Sequence, residues 1–91
     1  MKFLLGRIVW TKGVNDLVAV DTSFAKFVMD SLKRHANCDW GDLPAEDKRE
    51  NDFSLDKGLR LLSSYQQDDW RIWIITETDR SVTTTLFPEE Y

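Results

Sequence analysis

Four residues within the stretch 35–42 are of types that bind metals or move protons: His35, Cys38, Asp39 and Asp42. A zinc site needs three or four ligands, mostly of nitrogen and sulfur type, and this stretch offers one of each. The sequence therefore predicts no metal and no cofactor. Nucleophilic catalysis would require His35, the only histidine, to activate the Cys38 thiol. The neighbouring carboxylates disfavour a thiolate by like-charge repulsion, so Cys38 is expected to be a semi-buried filler and His35 to cap a helix end. Gly6, Gly13, Gly41 and Gly58 are isolated, which leaves no glycine-rich phosphate loop. No catalytic constellation is complete, and the expectation is a protein that is not an enzyme.

A second group of polar residues overlaps the first. Asp39, Trp40 and Asp42 precede a helix on which Asp47 and Asn51 stand one turn apart, on the side continuing from Leu43. Buried polar side chains need partners, since an unsatisfied one costs roughly 1 to 3 kcal/mol. The Trp40 indole, the amides after Gly41, and Arg34 or His35 as partners of Asp47 are the expected donors. These five residues are the candidate binding set. Trp40 has two readings, a lid over the helix ends or an aromatic anchor for a partner, and the lid weighs more because a small domain needs its large aromatics for stability. Gly41 would then supply the turn and Asp42 help to cap the next helix.

The elements that must position these residues follow from periodicity. Lys2 to Thr11 reads as a strand apolar on both faces, hence internal. After Lys12-Gly13, Val14, Leu17 and Val18 have the spacing of a helix of at most two turns. Asp21, Thr22 and Ser23 are N-cap types opening a helix over about Ser23 to Ala36, whose inner stripe is Phe24, Phe27, Val28 and Leu32. Asn37 to Leu43 is a loop. Pro44 suits a first helical position, and the helix runs to about Lys57, where Gly58 stops it. Leu59 to Gln66, Trp70 to Thr76 and Ser81 to Phe87 are strands joined by turns too short for a crossover, a meander ended by Pro88. The expected fold is a single α+β domain over residues 1–91, a four-stranded, mainly antiparallel sheet with helices on one face. Trp10, Trp70 and Trp73 belong to its core or rim.

Composition narrows the function classes. The 91 residues are 42 % hydrophobic and 12 % aromatic, too apolar for a disordered chain and too few for a second core. No apolar run reaches the roughly 18 residues of a membrane span, and Arg7 interrupts the start before a signal core develops, so a cytoplasmic location is expected. The lone Cys38 cannot form an internal disulfide. A net charge of −4 argues against sequence-independent binding to DNA or RNA. Charge is uneven: residues 1–37 hold six basic and three acidic groups, 39–56 two and seven, and 57–91 four and six.

Arg34-His35 with Asp39-Trp40-Gly41-Asp42-Leu43 forms one motif. Trp73-Ile74-Ile75-Thr76-Glu77 with Asp79-Arg80-Ser81, Thr83-Thr84, Leu86 and Pro88-Glu89-Glu90-Tyr91 forms another. Together they resemble a family of small bacterial proteins of unknown function, often encoded on plasmids and integrative elements. The resemblance covers most of the chain and implies a bacterial cytoplasm and an accessory role. Members tend to carry Gly where Cys38 stands, which speaks against a special role for the thiol.

Three function classes follow. The first is a non-catalytic protein-interaction or regulatory module with a protein partner. The second is an acidic nucleic-acid mimic that occupies a DNA-binding defence enzyme, suggested by the seven acids from Asp39 to Asp56. The third is a degenerate toxin of the RelE type that cleaves messenger RNA, suggested by the element order, by Trp70-Arg71-Ile72-Trp73 and by Arg80 as a phosphate ligand. Toxins of that type are basic and this chain is acidic, and mimics carry far more than −4. The interaction module is the favoured reading.

Overall fold

The structure, a computed structural model, describes residues 2–91. Four strands, β1 (Arg7–Trp10), β2 (Leu61–Gln67), β3 (Trp70–Thr76) and β4 (Val82–Leu86), form one sheet in the order β1-β4-β3-β2. The helices are α1 (Lys12–Val20), α2 (Thr22–Ala36) and α3 (Ala45–Lys57), and a 3₁₀ turn, Pro88–Glu90, follows β4. The fold is the expected α+β arrangement. β2, β3 and β4 are an antiparallel meander in which Leu61 faces Thr76 and Ile74 faces Thr85. β1 joins β4 in parallel, Arg7 against Val82.

The core lies between α1, α2 and one face of the sheet. Val14 of α1 and Phe24, Phe27, Val28 and Leu32 of α2 pack against Tyr65, Ile72 and Ile74. The Asp21 carboxylate accepts from the Phe24 amide at 3.0 Å and starts α2, while Lys33 and Arg34 occupy its last turn, where the dipole favours cations. Ile74 is fully buried, as a central strand requires. α3 sits elsewhere, meeting the outer edge of β2 through Asn51, with Ser54 the other buried residue of the helix.

Three expectations need correction. β1 is an edge strand of four residues, because Gly6, at φ +66, turns the chain beside Arg80 and Ser81 and leaves Lys2 to Leu5 outside the strand, the Lys2 amide donating to the Ala36 carbonyl at the end of α2 and the Leu5 carbonyl accepting from the Thr83 hydroxyl. A run apolar on both faces misled: Leu5 and Phe3 are half-buried outside any strand. α1 has nine residues rather than two turns. The strand does end before Lys12-Gly13, and Gly13 lies in the first turn of α1, where the Glu90 carboxylate accepts from its amide at 3.0 Å. Pro44 is the N-cap of α3 and not its first helical residue.

Candidate functional site

An edge strand presents a row of backbone groups that no neighbouring strand satisfies. On β2 these are the groups of Leu62, Ser64 and Gln66, and the candidate residues converge on them. Asn51 donates through its side-chain amide to the Leu62 carbonyl and accepts from the Leu62 amide at 3.2 Å. The Trp40 carbonyl accepts from the Ser64 amide at 3.4 Å, and the Asp42 amide donates to the Ser64 carbonyl at 2.7 Å. The Asp42 carboxylate accepts from the Gln66 amide at 2.8 Å. The loop from Asp39 to Asp42 thus lies along β2 as a partial fifth strand, with Gly41 bridged in parallel to Ser64.

This placement dictates the local residue types. Gly41 has φ +75, and a Cβ there would stand 2.0 Å from the Ser64 carbonyl oxygen and 2.7 Å from the Tyr65 ring, so only glycine fits. Asp39 accepts from the Arg34 guanidinium twice, at 2.7 and 3.1 Å, and from the Gly41 amide at 3.1 Å, which fixes the turn into the loop. The hydrogen bond from Arg34, with that from Gly41, holds the Asp39 carboxyl below its ordinary range despite partial burial. Tyr65 donates to the Asp39 carbonyl at 2.7 Å beneath the Arg34 guanidinium, and burial pushes its hydroxyl pKa up.

Trp40 is a lid. It is 3 % exposed, its indole N–H donates to Asp52 at 2.9 Å, and its ring meets His35 edge-on at 5.6 Å with Phe3 beside it. Asp47 stands apart. It is exposed, the expected pairing with Arg34 or His35 does not form, and no hydrogen bond joins it to the other four.

His35 is the other correction. It caps nothing: it is fully buried, with Nδ1 2.5 Å from the Ser63 hydroxyl and Nε2 2.9 Å from that of Thr76. The network assigns the tautomer. Thr83 must donate to the Leu5 carbonyl, at 2.6 Å, so Thr76 donates to Thr83 and His35 donates from Nε2 to Thr76. Ser63 then donates to Nδ1. Burial, aided by the positive Arg80, lowers the His35 pKa to about 4, so the ring is neutral. The sequence carried a signal for this chain: His35 continues the α2 stripe seven positions after Val28, and Ser63 alternates in step with Leu61 and Tyr65. Asp52, the partner of Trp40, carried none.

The remaining candidate chemistry is dispersed. Cys38 lies in a left-handed turn at φ 63, half-buried, and burial raises its thiol pKa. No three His, Cys, Asp or Glu side chains converge among the described residues. Arg80 donates to the carbonyls of Leu59, Glu77 and Thr78. No described helix is long and apolar enough to cross a membrane. Neither family models, curated proteins nor solved structures contain a match to the chain.

Proposed function

We propose that this chain is a small non-catalytic module that acts through protein contacts, an accessory in the bacterial cytoplasm belonging to a mobile element. The reading rests on how α3 is attached. Asn51 and Ser54 are its only buried residues, Leu55 is half-buried, Asp52 holds Trp40, and the other residues of the helix are exposed. Phe53 is 54 % exposed on that outer side, with the Lys57 ammonium 6.0 Å from its ring and Arg49, Glu50 and Asp56 as its other helix-surface neighbours. An exposed aromatic ringed by charges of both signs suits a pocket on a partner protein whose polar rim carries the complementary charges, the ring filling the pocket and the rim orienting the approach. Asp39, Trp40, Asp42 and Asn51 support the reading indirectly, as the fastening that holds α3 in place.

Affinity purification of the tagged chain from its own host tests it. Phe53→Asp should abolish the captured protein while leaving the melting temperature within about 2 °C, the scale of an exposed substitution. Retention of the same partner by that variant would defeat the proposal. The seven acids from Asp39 to Asp56 favour one second reading, the nucleic-acid mimic, for which the captured partner is a DNA-binding defence enzyme that releases DNA in exchange. A growth arrest on induction, with ribosomes as the captured species, would instead point to the RNA-cleaving class.

A further inference from the structure

The two edges of the sheet are finished differently. β2 is covered along its length, whereas β1 has no such cover. Arg7 and Thr11 donate their amides to the Ser81 and Thr85 carbonyls of the β4 side, at 2.9 and 3.1 Å. By strand alternation, the amides and carbonyls of Ile8 and Trp10 therefore point away from the sheet, and among the described residues none accepts from or donates to them. Ile8 is 47 % exposed on this edge.

We infer that β1 pairs with β1 of a second copy of this chain, antiparallel across a two-fold axis, and so closes two four-stranded sheets into one of eight strands. The occupant follows from charge and register. If Ile8 exchanges both backbone hydrogen bonds with Trp10 of the second copy, Val9 meets its own symmetry mate and Arg7 lies directly opposite Thr11 of that copy. The Thr11 hydroxyl donates to Glu90 at 2.5 Å, and the same carboxylate accepts from the Phe87 and Gly13 amides at 2.8 and 3.0 Å. Burial works against this carboxylate, yet those hydrogen bonds hold its pKa below the ordinary range, so a fixed anion waits where the arriving arginine ends. Arg7 forms no ion pair among the described residues. Facing side chains of paired strands are about 5 Å apart at Cβ, well within an arginine's reach. The symmetry makes the ion pair twice. It also makes the assembly finite, since the outer edges of the eight-stranded sheet are the two covered β2 strands. The inference goes beyond the interaction-module reading and stands whether or not α3 binds a partner.

Sedimentation equilibrium on the full chain tests it. Wild type should show twice the 10.7 kDa chain mass. Ile8→Pro removes an outward amide that β4 does not use, and the extended backbone accepts it, so this variant should be a monomer with an unchanged near-UV spectrum. Arg7→Glu places like charges opposite Glu90 and should weaken the dimer roughly tenfold or more, with wild type itself weakening as salt rises. A wild type that stays monomeric at its highest soluble concentration would overturn the inference, even if it captured an extended segment of another protein. So would an open-ended polymer, or a dimer indifferent to both substitutions.

Discussion

β2 and β1 pose one physical problem, the exposed backbone of an edge strand, and this chain treats them in opposite ways. At β2 a loop, a helix side chain and a carboxylate satisfy Leu62, Ser64 and Gln66. At β1 the outward groups of Ile8 and Trp10 have no partner among the described residues. The contrast shows that a dense cluster of polar and aromatic residues can be a structural seal. It also means that the two surfaces proposed for partners, β1 and the outer side of α3, are separate from Asp39, Trp40, Asp42 and Asn51.

The largest effect should come from Gly41→Ala, which forces a Cβ against the Ser64 carbonyl at a positive φ and lifts the loop off β2. A loss of about 3 kcal/mol or more by chemical denaturation is expected, and near-native stability would break the idea that the loop lies flush with the strand. The reverse substitution in kind, Gly58→Ala, meets no atom and should cost only about 1 kcal/mol for its left-handed φ.

Acid sharpens the comparison next. The unfolded His35 binds its proton as pH falls through 6.5, while the folded ring resists until about 4. Between those values the unfolded chain holds more protons, so stability falls as pH falls across the window, by roughly 3 kcal/mol in total, and is fully present above it. The His35 chain links α2, β2, β3 and β4 and ends at Leu5, short of β1. Denaturation of His35→Gln between pH 4 and 7 should lose most of this slope. An unaltered slope would mean that carboxylates, not the buried ring, set the acid response.

Asn51→Ala leaves the Leu62 amide and carbonyl unpaired and should cost roughly 1 to 3 kcal/mol. Trp40→Phe keeps the lid but loses the bond to Asp52, for about 1 kcal/mol or ~4 to 8 °C of melting temperature. Asp47→Ala, exposed and outside the seal, should change stability by less than about 0.5 kcal/mol. A thermal-melt series that ranks Asp47 with Asn51 would show that the seal extends along α3.

Much of the fold was legible because its signals are local. The α2 stripe, the Asp21 cap, the short turns of the meander and the stop at Gly58 each lie within one turn or one strand of the residues that cause them. The polar inner side of α3 was legible as a contradiction, the side continuing from Leu43 yet carrying Asp47 and Asn51. Its resolution was not. Nothing near Asn51 in sequence says that its partner is the backbone of Leu62, 11 positions away, nor that the hydroxyl partners of His35 lie 28 and 41 positions away. β1 was misplaced for the same reason: apolar residues on both faces do not distinguish a strand between two others from an edge strand followed by a segment tucked under α2.

Amide hydrogen exchange, read residue by residue by NMR, tests the central claim most directly. If the loop and Asn51 seal β2, the outward amides of Leu62, Ser64 and Gln66 should exchange as slowly as the inward amides of the same strand, while in the Ile8→Pro variant the Trp10 amide should exchange as fast as an open chain. Fast exchange at Leu62, Ser64 and Gln66, matching Trp10, would contradict it.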